Sequence, residues 1–108
     1  MEKRLADKKD AGKPRFSLLP YNGLKKVALV LGFGESEKYD AHNWRKGVEW
    51  SRRLDSAISH VVKYTNGESS DDETGMSHLA HAVAQLLMVL DYEETHPELD
   101  DRWHEKGK

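Results

Sequence analysis

Between Gly67 and His81 the chain gathers most of the groups able to do chemistry. Glu68, Asp71, Asp72 and Glu73 fall within six residues, and His78 and His81 follow directly. Carboxylates with imidazoles nearby offer hard oxygen donors, a set that suits Mg²⁺ or Mn²⁺ better than a soft-ligand metal. His78 and His81 are i, i+3 neighbours, and Gln85 extends the same face if the segment is helical. A second reading stands beside this one. Acidic residues before a helix complement its dipole, and Asp72 or Thr74 then serves as a cap. A dipole, however, has no need of imidazoles.

Two other groups of residues carry polar chemistry. His60 falls opposite the centre of an apolar stripe, near Ser56 and Arg53. It meets His78 and His81 if two helices pair antiparallel across the acidic loop; taken alone it is a surface histidine. Lys38, Tyr39, His42, Asn43, Trp44, Arg45 and Lys46 interleave cations, aromatics and an amide. Cations neutralise phosphates, Trp or Tyr stacks on a base and Asn reads a base or ribose edge. The alternative is that Trp44 and Tyr39 plug the end of a bundle while the cations stay solvated. Residues 10–15 are a basic stretch that either folds over a ligand or remains a charged tail.

Several chemistries are excluded. Gly32-Phe33-Gly34 lacks the Lys-Ser/Thr ending of a phosphate loop. There is no nucleophile elbow, no His-Glu-x-x-His helix and no adjacent His-Asp pair, and the chain has no cysteine. Without cysteine, neither a disulfide framework nor a zinc ribbon is available.

The elements that must position these groups are helical. Residues 1–13 hold one large apolar residue besides Met1, Leu5, and are expected to form a mobile tail. Residues 14–20 are flanked by prolines and read as an extended arm whose Phe16, Leu18 and Leu19 can lie across a helix. Tyr21-Asn22-Gly23 reads as a turn with Asn22 capping a first helix that ends near Gly32 or Gly34. A second helix is predicted over 49–65, because Trp50, Leu54, Ala57, Ile58, Val61 and Val62 trace one stripe and Asn66-Gly67 stops it. A third is predicted over 76–94, with Leu79, Ala80, Val83, Leu86, Leu87 and Leu90 facing inward and His96-Pro97 ending it. Residues 97–108 read as a charged tail. The expected fold is all-α: a small bundle of about three main helices over residues 14–96 with an extended N-terminal arm.

Composition sets the limits of that bundle. The 108 residues are 37% hydrophobic and 33% charged, against about 45–50% and about 25% in typical globular chains. So thin a core is expected to complete its burial against another copy, giving a homo-oligomer. The net charge of −2 argues against a protein that coats nucleic acid. No apolar run approaches the roughly 20 residues of a membrane span, and the charged start is not a signal peptide, so the cytoplasm is expected.

The order of these motifs is informative. Asp10-x-Gly12-Lys13-Pro14-Arg15-x-x-Leu18-Leu19-Pro20 is followed by Gly34-x-x-x-Lys38-Tyr39-x-x-x-Asn43-Trp44-x-x-Gly47. The last block is Gly67-Glu68-x-x-Asp71-x-Glu73-Thr74-Gly75-x-x-His78-Leu79-x-His81-Ala82. Over roughly residues 10–92 this resembles the phage and prophage dATP/dGTP diphosphohydrolase N-terminal family, related to the all-α MazG-type pyrophosphohydrolases. The resemblance implies a helical, oligomeric enzyme of the host cytoplasm that splits a (deoxy)purine nucleoside triphosphate into monophosphate and pyrophosphate with Mg²⁺ or Mn²⁺. It implies that residues 14–96 form a nucleotide-binding domain in which Glu68, Asp71 and Glu73 bind metal. His78 and His81 join those three as catalytic groups. Arg15, Lys38 and Arg45 would clamp phosphates, Tyr39 or Trp44 would stack on the base, and Asn43 and His60 would complete the substrate contacts. One feature departs from MazG-type enzymes, which hold metals on Glu-x-x-Glu and Glu-x-x-Asp pairs of facing helices. The spacing of this kind within the acidic block, Glu68-x-x-Asp71, falls in a loop, and Lys25-Lys26 replaces the usual acidic helix start. Two other functions therefore stand beside hydrolysis: a binder that sequesters a nucleotide uncut, and a helical interaction module.

Overall fold

The computed structural model describes residues 4–37 and 40–104, without the side chains of residues 35–37. Three helices carry the fold: α1 (Tyr21–Glu37), α2 (Trp50–Thr65) and α3 (His78–Thr95). Short 3-10 turns at Phe16–Leu18, Asn43–Lys46 and Pro97–Leu99 punctuate the connections. The all-α bundle of three main helices with an N-terminal extension is thus observed. α3 is its centre, packed against both α2 and α1.

The helix ends follow local chemistry. Gly67, at φ +97, closes α2 with paired bonds from Gly67 N–H to Tyr64 and from Glu68 N–H to Lys63. This is the glycine-dependent Schellman arrangement, which satisfies carbonyls the helix leaves over. At the other end of α2, Glu49 offers no capping side chain. Asp101 does so from fifty residues away, accepting from the Ser51 N–H at 2.9 Å and from the Ser51 hydroxyl. Its negative charge also complements the helix N-terminus. α3 is capped by Ser77, whose hydroxyl accepts from Leu79 N–H.

Four expectations need correction. Tyr21-Asn22-Gly23 is the first turn of α1, since Leu24 N–H already bonds to the Pro20 carbonyl. α1 then runs through Gly32 and Gly34 to Glu37, because an interior glycine costs only about 1 kcal/mol and does not by itself end a helix. The inward face of α3 is not the leucine stripe. Ala80, Ala82, Ala84, Met88, Val89 and Tyr92 are buried, whereas Leu79, Val83, Leu86, Leu87 and Leu90 are exposed. Small residues let neighbouring helices approach closely, and the bulky stripe is left outward. Phe16, Leu18 and Leu19 are exposed as well, so the arm does not cover a helix within the chain.

The core is compact and aromatic. Trp50, Met88, Val89 and Tyr92 form it, with Leu31, Trp44, Val48, Leu54 and Leu99 against it. His96 ties this end together: its Nε2 meets the Arg45 carbonyl at 2.8 Å, and its own carbonyl accepts from the Trp50 indole at 3.1 Å. Gly47, at φ +93, is pressed against both His96 and Leu99.

Candidate functional site

Antiparallel pairing of α2 and α3 places His60 beside the first turn of α3. His60 Nδ1 lies 2.9 Å from His78 Nδ1, one nitrogen donating to the other. The His60 ring also stacks on His81, with centroids 4.7 Å apart and planes 12° from parallel. His78 is 2% exposed, and its Nε2 faces a Glu68 carboxylate oxygen at 3.5 Å. Three imidazoles thus converge from two helices.

The acidic loop folds back to supply a carboxylate. Asp71 N–H donates to the Met76 carbonyl and Gly75 N–H returns to the Asp71 carbonyl. One Asp71 oxygen accepts from the backbone of Glu73 at 3.1 Å and of Thr74 at 3.0 Å, a side-chain-to-backbone turn that fixes the residue. The Thr74 hydroxyl accepts from Met76 N–H and lies 2.7 Å from His81 Nε2. The loop is thereby tied to α3 at His81, whose ring stacks on His60 of α2.

Protonation follows from this geometry. Burial first, then the neighbouring His81 and His78 rings, hold the His60 pKa below its ordinary value despite the opposing pull of Asp71. Burial acts to raise the pKa of Asp71, but the Thr74 N–H and the nearby His81 outweigh it and hold the carboxyl below the usual range. His60 therefore tends to stay neutral with a lone pair, and Asp71 ionised. These are the forms that ligate cations. One donor atom each from His60, Asp71 and His78 falls within a mutual 4.8 Å, so the residues fit a divalent cation.

A cleft of about 500 Å³ opens from this cluster. His60, Ser56 and Arg53 line it along one face of α2, with Arg52 beside them. The seven residue steps from Arg53 to His60 span about 10 Å of helix. α1 contributes Val30, Leu31 and Phe33, and the 43–46 turn contributes Asn43 and Trp44. Arg53 is held in place: its guanidinium donates to the Tyr92 hydroxyl at 3.2 Å and to Gln85 at 3.3 Å.

The sequence-derived site residues are therefore spread unevenly. His60, Asp71, Glu73, His81, Asn43 and Trp44 line the cleft, and His78, faced by Glu68, belongs to the cluster without lining the cleft. Glu73 is exposed at the cleft wall, and among the described residues the metal-sized grouping that holds Asp71 does not include it. Arg45 stacks over the Trp44 ring at 4.6 Å and does not line the cleft. Arg15 lies on the exposed N-terminal extension, also outside the lining. Lys38 and Tyr39 fall outside the described residues. Trp44 both packs on Tyr92 and lines the cleft, so the plug and platform readings of this residue are compatible. Arg53, Ser56 and Gln85 were not among the expected contacts. Their signal was the spacing of Arg53, Ser56 and His60 by three and four residues, which places all three on one helical face.

The comparisons with known proteins agree with this picture. The family model described as dATP/dGTP diphosphohydrolase, N-terminal, matches residues 3–102. A dATP/dGTP diphosphohydrolase of Salmonella phage PMBT28 is 38% identical over 93 residues, covering 86% of this chain. The chain spans about a third of that relative's length, 31%. No solved structure matches it. Among the described residues, no helix is long and apolar enough to cross a membrane.

Proposed function

The chain belongs to the dATP/dGTP diphosphohydrolase N-terminal family, and from that premise we propose that it is a metal-dependent pyrophosphohydrolase of (deoxy)purine nucleoside triphosphates, acting in the host cytoplasm. One observation carries the proposal: a single cleft is lined by His60, Asp71 and His81 of the imidazole–carboxylate cluster, by two arginines and by a partly buried tryptophan. A triphosphate needs cationic charge along its length, and a purine needs a flat surface.

A divalent cation at the cluster, Mg²⁺ or Mn²⁺, supplies charge neutralisation and an acidified water when bound. His60, Asp71 and His78 would hold it. Arg52 and Arg53 line the cleft and would clamp phosphates there, in addition to the Arg15, Lys38 and Arg45 that the sequence suggests for that role. Trp44 would stack on the base while Asn43 reads its edge. In the reaction, water oxygen bonds to the α-phosphorus, the bond to the bridging oxygen breaks, and pyrophosphate leaves with that electron pair. His81 and Glu73 also line the cleft and would take the proton of the attacking water.

A second reading, a nucleotide-sequestering protein that does not cut, is favoured by one observation. Among the described residues the carboxylates near the cleft come from loops, as Asp40, Asp71 and Glu73, and not from pairs on facing helices. Incubation with each NTP and dNTP plus Mg²⁺ or Mn²⁺ decides between them. Hydrolysis predicts monophosphate and pyrophosphate. Tight binding with the triphosphate recovered intact supports sequestration, and neither outcome leaves only the interaction module.

The same reading includes a second copy of the chain. Leu79, Val83, Leu86 and Leu90 recur by four and three on α3, and Leu54, Ile58 and Val61 by four and three on α2. This is the seven-residue seam of helices that pack side by side. Leu54, Leu86 and Leu90 share one groove, so the two stripes are continuous. Together they leave on the order of 600 Å² exposed, close to the roughly 800 Å² per partner of a standard interface. Two copies would close the stripes into a four-helix bundle and complete the thin core.

A further inference from the structure

The geometry points to a first-row transition-metal ion, and not magnesium, as the cation of the His60–Asp71–His78 cluster, with Glu68 orienting His78 from behind. This rests on the metal-dependent reading above and narrows it. The donor atoms available are two imidazole nitrogens and one carboxylate oxygen. Magnesium demands oxygen ligands in a near-ideal octahedron and keeps its waters, whereas imidazole suits the ions from iron to zinc. Loop carboxylates alone would have left magnesium the natural occupant.

Three further observations favour nitrogen ligation. The Nδ1 atoms of His60 and His78 converge to 2.9 Å. Two ligands each about 2.1 Å from one ion and at right angles to one another stand about 3.0 Å apart. The pair is therefore set near the spacing that one shared ion requires. His78 is buried and directs its other nitrogen at Glu68. A carboxylate behind a ligating histidine fixes the tautomer and raises its basicity, leaving Nδ1 as the donor. Finally, Asp71 spends one oxygen on the backbone of Glu73 and Thr74, which holds the carboxylate in orientation. Glu68 is thus a positioning residue.

The test uses the full chain stripped of metal and titrated with Co²⁺, read by visible absorption, with Mg²⁺ as competitor. One equivalent of Co²⁺ should bind with nitrogen-ligand bands and survive a roughly 100-fold excess of Mg²⁺. His60→Gln should abolish the bands with the helical circular dichroism unchanged. Glu68→Gln should weaken Co²⁺ by about 10–100-fold. Displacement of Co²⁺ by Mg²⁺ at comparable concentration, or full binding by His60→Gln, would overturn the inference. Product analysis on the same samples separates it from the functional reading. Magnesium-driven hydrolysis that persists in His60→Gln defeats this inference and spares the reading; tight nitrogen-bound Co²⁺ with no triphosphate bound or cleaved does the reverse.

Discussion

The Tyr92 hydroxyl donates to the Trp44 carbonyl at 2.6 Å and receives Arg53 from the other side at 3.2 Å. Tyr92 is completely buried. Through that one oxygen the core of the bundle positions both the tryptophan and the arginine of the cleft.

Tyr92→Phe is therefore expected to act on stability and on the site together. It removes a partner from the Trp44 carbonyl, which keeps the Gly47 N–H, and from the Arg53 guanidinium, which keeps Gln85, at a cost of about 0.5–1.5 kcal/mol per bond. Urea unfolding should show that loss, and calorimetry should show weaker nucleotide binding. An unchanged midpoint with unchanged affinity would mean that the oxygen organises neither.

Gly47→Ala combines two penalties. The residue holds φ +93, and an added Cβ would stand 2.7 Å from Leu99 Cδ1 and 3.0 Å from the His96 ring. A loss of roughly 2–4 kcal/mol follows from strain and overpacking. Thermal unfolding measures it. Gly67→Ala, with the same sign of φ and nothing within 4 Å, should cost less.

How far the sequence foretold the molecule depends on the residue. α2 and α3 were legible within two residues, because strong apolar periods end at Gly67 and before Pro97. The meeting of His60, His78 and His81 followed from antiparallel pairing across a short loop. The inward face of α3 was not legible: Ala80, Ala84 and Met88 satisfy the same period as Leu79, Val83 and Leu86, and periodicity does not rank two apolar faces of a helix with neighbours on several sides. Asp101 capping α2 and His96 gripping Arg45 join residues about fifty apart, which local patterns do not encode. Arg53 was legible on the face of His60 from its spacing, but its contacts with Tyr92 and Gln85 on α3 were not.

Acid should loosen the bundle through His60. Its pKa is lowered on folding by burial and by His81 and His78, against Asp71. The unfolded chain then takes a proton near 6.5 where the folded one does not. Stability is full above that value and declines as pH falls through the folded pKa. Melting temperatures across this window should drop for the native chain and less for His60→Gln. Parallel curves would dismiss the role of His60. His96 acts in the opposite sense: its pKa is raised by the Arg45 carbonyl and Glu98, so its share of stability is present below 6.5 and lost as pH rises.

The leucine face predicts assembly. Leu86→Lys places a charge in the middle of the proposed seam and should convert the dimer to monomer in sedimentation, with helicity retained. A native chain that sediments as a monomer at micromolar concentration would remove the second copy from the account.

Location is the central claim, and nuclear magnetic resonance of the full chain titrated with a non-hydrolysable dGTP analogue tests it most directly. The account predicts shifts at the Trp44 indole N–H and at the amides of Arg53, His60 and Asp71, with Leu79, Leu86 and Leu90 unmoved. Shifts confined to the leucine face or the N-terminal extension, or none at saturating analogue, would contradict it.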